Sequence, residues 1–211
     1  MTATLTLALS KGRILQQTLP LLHRAGILPA AKLTSGRKLV FETALPHLRL
    51  VVMRGADVPT YVRQGAADMG IVGKDMLLEQ GSEGMYEPLD LGIARCRLMT
   101  AAPLGWQPDG RRIRVATKFP AVARRFFAER GIHADVIKLY GAMELAPLMQ
   151  LADMILDIVD TGNTLRANGM QPVDLVAEVS SRLVVNRATM RSRHDVIQEL
   201  VMALSKALCE A

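Results

Sequence analysis

Cysteine is scarce in this sequence of 211 residues: Cys96 and Cys209 lie far apart and form no CxxC pair. They encode neither a disulfide framework nor a thiolate metal site, and a reducing compartment fits. Histidine is thin too, because His23, His47, His133 and His194 never fall at ligand spacing from one another, so no zinc site is encoded. With one Trp, three Tyr and four Phe, and no basic run longer than two residues, the sequence lacks the stacking platforms and phosphate stripe of a nucleic-acid surface. No apolar run approaches the roughly 20 residues that a membrane span requires. The first positive charges, Lys11 and Arg13, follow the apolar opening, the reverse of the order in a secretory signal. The expectation is a cytoplasmic protein that engages neither nucleic acid nor membrane.

What is present is an aliphatic chain with 50% hydrophobic and 22% charged residues, enough for one large domain or two small ones with an α/β interior. Its net charge of +6 and pI near 9.7 suit ligands that carry phosphates. Short apolar runs alternate with helical segments, the βαβα pattern of a mostly parallel sheet covered on both faces. Strands are expected at 4–9, 48–53, 69–72, 113–116, 136–139 and 154–159. Helices are expected at 14–25, with Pro20 kinking or shortening it, at 58–64, with Asp57 as cap and Pro59 in the first turn, and at 121–130, opened by Pro120. Gly65 and Gly131 stand where helices end.

Two stretches, 89–102 and 173–186, are long, extended and without helix signal. They read as crossover strands between two lobes, one of residues 1–92 plus 186–211 and one of residues 98–176, with a cleft between them. An amphipathic helix closes the chain, with Val196, Ile197, Leu200, Val201, Leu204 and Leu208 on one face.

The chemistry concentrates at strand ends. A buried strand runs into Asp160-Thr161-Gly162-Asn163-Thr164 and then a helix that Gly169 can terminate. Backbone N–H groups and the two threonine hydroxyls would form an anion cradle, with Gly162 allowing close approach and Asp160 or Thr161 able to cap the helix. Asp157, inside the strand, needs a partner or a ligand. Taken alone this is also a common capped turn. It recurs, however: Ser10-Lys11-Gly12-Arg13, Arg54-Gly-Ala-Asp57 and Gly70-Ile-Val-Gly73-Lys-Asp75 also close predicted strands, and in open α/β sheets ligands sit at the carboxyl ends of strands.

The order Leu9-Ser-Lys-Gly-Arg13, Arg54-x-x-Asp-Val-Pro-x-Tyr-Val62, Gly65-Ala-Ala-Asp-x-Gly-Ile-Val-Gly-Lys-Asp75, Glu144-Leu-Ala-Pro147 and Asp157-Ile-Val-Asp-Thr-Gly-Asn-Thr-Leu165 resembles ATP phosphoribosyltransferase over nearly the whole chain. One departure stands out: Gln150 occupies a position where the family pattern carries Gly. The resemblance implies a two-lobed α/β fold of the periplasmic-binding-protein type (type II). It also implies a reaction in which adenine N1 of ATP attacks the anomeric carbon of phosphoribosyl pyrophosphate and pyrophosphate leaves, with Mg²⁺ assisting. By the same resemblance, Asp160 to Thr164 hold the 5-phosphate of the donor, and Asp157 and Glu144 face its ribose hydroxyls or the metal. Arg54 and Arg37, the latter from Ser35-Gly-Arg-Lys38, meet the pyrophosphate. Ser10, Lys11, Gly12, Arg13 and Gly73 line the nucleotide and pyrophosphate side, and Lys11 joins the arginines in catalysis.

This chemistry needs no Ser, Cys or His nucleophile, because N1 already has a lone pair; it needs aligned anions and cations on the leaving group. The sequence ends at Ala211, directly after the amphipathic helix, as in the short form of the family. The resemblance implies that histidine control comes from a regulatory chain related to histidyl-tRNA synthetase, and the expectation is a chain that is active alone as a homodimer. Two alternatives stand beside this reading. A nucleobase phosphoribosyltransferase shares the Asp-Thr-Gly-x-Thr loop but has an adjacent acidic pair before it, whereas here two apolar residues separate Asp157 from Asp160. A non-enzymatic solute-binding protein shares only the fold.

Overall fold

A computed structural model describes residues 4–31, 33, 38–108 and 110–210. The chain divides into two compact units, one formed by the residues up to Ala94 and from Ser180 onward, the other by Arg95–Val179. In chain order the first unit contains β1 (Leu5–Ser10), α1 (Arg13–Arg24), β2 (Val40–Glu42), β3 (Leu48–Met53), α2 (Val58–Arg63), β4 (Met69–Gly73), α3 (Lys74–Gln80) and β5 (Met85–Asp90). The second holds β6 (Cys96–Pro103), β7 (Ile113–Thr117), α4 (Pro120–Ala128), β8 (Ala134–Lys138), α5 (Leu145–Leu148), β9 (Met154–Val159), α6 (Asn163–Ala167) and β10 (Met170–Val179). The chain then returns to the first unit with β11 (Ser181–Asn186), α7 (Arg187–Ser192) and α8 (His194–Cys209).

The first sheet has the order β2-β3-β1-β4-β11-β5. Its β3, β1 and β4 run parallel, while β11 lies antiparallel between β4 and β5. Every residue of β1 and of β4 is buried, the mark of strands covered on both faces, and this is why both read as unbroken apolar runs. Leu7, Leu50, Ile71 and Leu183 from the sheet share a core with Leu15, Leu21 and Leu22 of α1 and Ile197, Leu200 and Leu204 of α8. Each fully buried leucine contributes about 1.5–3 kcal/mol. The second sheet, β10-β6-β9-β7-β8, packs α5 and α6 over Ala116, Ile155 and Val159 through Ala146 and Leu165.

Several local expectations are corrected. Pro20 neither breaks nor shortens α1, which continues to Arg24. Pro20 and Gln16, whose carbonyl loses the missing N–H, are both on the exposed side, where water can take over the bond. Asp57 precedes α2 without a side-chain cap bond, because Pro59 removes one of the two N–H groups such a cap would reach. The extended stretches 89–102 and 173–186 are each two strands, one per sheet, not one continuous strand. The first is broken after Asp90, where Gly92 and Ala94 adopt φ of 62° and 51°, and the second is broken at Ser180. Gly65, Gly131 and Gly169 do end helices with positive φ.

Gln150 is explained by the same geometry. Leu151 N–H donates to Ala146 O (2.9 Å) and Gln150 N–H to Pro147 O (3.0 Å), the two bonds of a Schellman motif ending α5. Gln150 therefore occupies the left-handed position, φ 57°, that ordinarily calls for glycine. Arg114 clamps the turn, donating to Gln150 O (2.9 Å) and pairing with Asp153 (2.7 Å). The hydrogen bonds from Arg114 hold the Asp153 carboxyl below the usual carboxylate range.

Candidate active site

In the first unit the register aligns three strand ends. Ser10 pairs with Met53 at the ends of β1 and β3, Lys11 N–H donates to Met53 O (2.9 Å), and Leu9 pairs with Ile71 of β4. Ser10–Arg13, Arg54–Asp57 and Gly73–Asp75 therefore emerge together at the carboxyl edge of one sheet. Lys11 and Arg54 are exposed and follow paired residues of adjacent parallel strands. Neither side chain is paired with a carboxylate among the described residues. Two neighbouring cations without a counter-charge repel each other, so an anion bound there gains from both.

Gly12 supplies the turn into α1 with φ 86° and ψ −144°, a conformation open essentially to glycine. Ser10 is buried, and its hydroxyl donates to Ile71 O (2.9 Å), so it braces β1 against β4 and can only accept from other groups. Gly55 packs on it: a Cβ there would come within 3.4 Å of Ser10 Oγ. Gly73 faces inward, where a Cβ would fall 2.1 Å from Asp75 Oδ1. Lys74 is closed on both oxygens of Glu87 (2.9 and 2.7 Å). Arg13 opens α1 and donates through Nη2 to Ala94 O (3.0 Å). Arg37 lies outside the described residues.

The second unit carries the other group. β9 leads from half-buried Asp157 into Asp160–Thr164, all exposed apart from half-buried Gly162. Gly162, in the left-handed region at φ 76° and ψ 5°, is the N-cap of α6, in place of the Asp160 or Thr161 cap expected from sequence. It makes no side-chain cap bond, and the nearest substitute is a long contact from Asn163 N–H to Thr161 Oγ1 (3.4 Å). Sequence reasoning missed Arg166. Its guanidinium folds back over the loop, donating to Asn163 Oδ1 and to Thr161 O, with Nη1 3.6 Å from where a Gly162 Cβ would stand. The available signal was spacing, since a residue four after the glycine lies over the turn that glycine opens. Glu144, half-buried just before α5, has no side-chain partner among the described residues. Asp157 Oδ1 accepts from Ile158 N–H (2.8 Å).

The architecture first defines a class. Two solved solute-binding proteins share the fold: a probable amino-acid ABC transporter extracellular-binding protein of Bacillus subtilis (TM-score 0.60, 13% identity, 100% of this chain and 94% of that one) and the alkanesulfonate-binding protein of Xanthomonas axonopodis (0.57, 14%, 97% and 73%). The chain is thus an α/β protein of the periplasmic-binding-protein-like class. Within it, the similarity to an ATP phosphoribosyltransferase chain of Thermotoga maritima, solved in a HisG:HisZ complex, is much greater: TM-score 0.88 at 30% identity over 99% of this chain and 100% of that one. The family model for ATP phosphoribosyltransferase matches residues 54–206. The ATP phosphoribosyltransferase of Chromohalobacter salexigens is 64% identical across 99% of this chain and 96% of that protein. That of Pseudomonas aeruginosa is 59% identical across 97% of each. The chain belongs to the ATP phosphoribosyltransferase family. It is a pentosyl transferase that joins a phosphoribosyl group to ATP in the first step of histidine biosynthesis.

Proposed function

We propose that adenine N1 of ATP displaces pyrophosphate from phosphoribosyl pyrophosphate through the residues described above. Lys11, Arg13 and Arg54, with Arg37, take the pyrophosphate and nucleotide phosphates, braced by Ser10, Gly12 and Gly73. Asp160, Thr161, Gly162, Asn163 and Thr164 take the 5-phosphate, and Asp157 and Glu144 take the ribose hydroxyls or the metal. The observation that carries this reading is a pair of cations, Lys11 and Arg54, on adjacent strand ends and without a carboxylate partner among the described residues. Because N1 brings its own electron pair, no side chain has to remove a proton to create the nucleophile. Catalysis by this chain consists of holding two anions in line and stabilising charge as it grows on the leaving pyrophosphate.

The divalent metal used in this family is proposed to be Mg²⁺. No group of three His, Cys, Asp or Glu gathers among the described residues, but one or two carboxylates, Glu144 and Asp157, suffice where substrate oxygens complete the shell. When bound, Mg²⁺ neutralises part of the pyrophosphate charge. For control, the HisG:HisZ assembly of Thermotoga maritima supports a regulatory partner chain here too; we propose that it is of the histidyl-tRNA-synthetase-like kind, and that the chain by itself is a homodimer in the cytoplasm. No helix among the described residues is long and apolar enough to cross a membrane.

The test is formation of a new ultraviolet-absorbing nucleotide from ATP and phosphoribosyl pyrophosphate by the purified chain, with and without histidine. Product insensitive to histidine is expected. Transfer to a free nucleobase in place of ATP would overturn the acceptor, and saturable inhibition by histidine would overturn control by a second chain.

A further inference from the structure

Ala94 is the last residue of the first unit on the outgoing connection. It is buried and holds φ 51° without being glycine, a conformation that persists only where surroundings impose it. The backbone before it is tied to the returning segment, Leu91 N–H to Ser181 O (2.9 Å) and Ser181 N–H to Ile93 O (3.0 Å). At Ala94 that pairing ends and two side chains take over. Gln17 Oε1 accepts from Ala94 N–H at 2.6 Å, and Arg13 Nη2 donates to Ala94 O at 3.0 Å. Arg13 and Gln17 stand one helical turn apart at the start of α1, on one face of the helix. The backbone N–H and C=O of this one residue are thus answered by one amide and one guanidinium from the same turn.

The two bonds are not equivalent. Arg13 is one of the two cations of the Ser10–Arg13 loop, and its bond to the Ala94 carbonyl helps to set its direction. That carbonyl is set by the left-handed backbone, and the bond to Gln17 is what satisfies Ala94 N–H in that conformation. We infer that Gln17 is a positioning residue: by fixing Ala94 it aims the Arg13 guanidinium at the phosphates of the nucleotide. The inference rests on the functional reading above, which places ATP beside Arg13. An anchored guanidinium loses less rotamer freedom when its anion arrives, so the effect of Gln17 appears in nucleotide affinity.

The experiment is equilibrium titration of the full chain with MgATP, paired with turnover and amide exchange. Gln17→Leu keeps the shape and removes the acceptor. It should weaken MgATP about tenfold, the scale of having to order one more side chain on binding, raise KM for ATP with little change in kcat, and speed exchange of the Ala94 amide. Gln17→Glu retains an acceptor and should restore slow exchange of the Ala94 amide, which separates the hydrogen bond from the charge it adds beside Arg13. In an Arg13→Ala background Gln17→Leu should have no further effect, because the residue acts through Arg13. Equal weakening in both backgrounds, unchanged MgATP affinity in Gln17→Leu, or unchanged Ala94 exchange would overturn the assignment. A wild-type chain that binds MgATP but makes no product would bring down the functional reading instead, and the affinity cycle would still decide the role of Gln17.

Discussion

The two groups of residues assigned to anions are built by opposite means. In the first unit, Lys11 and Arg54 follow strands of which β1 is wholly buried, and the local scaffold is tied by bonds that use none of their charge: Ser10 to Ile71, Lys11 N–H to Met53. The cations are left to the ligand. In the second unit the loop after β9 is exposed, turns on one left-handed glycine, and has its own cation folded onto its own acceptors through Arg166. A rigid frame with unmatched charge favours an anion by Coulomb attraction. A loop satisfied by internal bonds favours one only if the ligand offers better partners than the loop gives itself. The first arrangement suits a group whose charge grows during reaction, the second a phosphate whose charge stays constant.

The sharpest way to break this contrast is Arg54→Ala. If Arg54 meets the leaving pyrophosphate, single-turnover rates should fall about 10²- to 10³-fold, as for other preorganised charge stabilisers, with smaller change in ATP affinity. Unchanged single-turnover rates would assign the cation to the surface.

A smaller effect is expected in the loop. Gly162→Ala forces a Cβ into φ 76°, which costs roughly 1 kcal/mol, and sets it 3.6 Å from Arg166 Nη1. Phosphoribosyl pyrophosphate should bind about tenfold more weakly, read by titration with folding checked by circular dichroism. Arg166→Ala separates two roles for that side chain. Weaker donor binding means Arg166 leaves the loop for the phosphate, and tighter binding means it competes with the phosphate.

The smallest effects fall outside the site. Gln150→Gly relieves the left-handed strain at φ 57°, and after the extra freedom of glycine in the unfolded chain the net gain should be about 0.5 kcal/mol, seen as a slightly higher Tm. The nearby pair of Arg114 and Asp153 should add acid sensitivity. The Asp153 carboxyl is held low by Arg114, so its stabilising share is present above the ordinary carboxylate pKa, near 4, and is lost as pH falls through the lowered folded value. Arg114→Gln should flatten that part of a stability-against-pH curve.

How much of this was legible in sequence depended on burial and distance. β3 and β9 were bounded to the residue, because an apolar run flanked by glycine or charge marks both ends of a strand covered on two faces. α3, α5 and α7 were not seen, since helices this short exist through tertiary packing and carry no periodic signature, whereas α2 and α6, equally short, were marked by Pro59, Gly65 and Gly169 at their ends. The clusters at strand ends were readable because glycines and cations sit beside apolar runs. Which cations are already engaged was not: Lys74 meets Glu87 thirteen residues away, Arg13 meets Ala94 eighty-one away, and neither spacing has a pattern. Gln17 and Arg166 were missed for the same reason, both being ordinary helix residues until folding sets something against them.

The place of β11 in the first sheet has a consequence for the chain as it is made. Among the described residues β5 hydrogen-bonds to no strand but β11, and β11 lies beyond the whole of Arg95–Val179. The second unit is continuous in sequence and can close on itself as soon as it leaves the ribosome. Until residue 186 has been synthesised, the first unit has β4 exposed along one edge and β5 with nothing to pair with. The chain therefore completes its inner segment before its outer one, and it carries an open sheet edge throughout that interval, the kind of edge on which nascent chains aggregate.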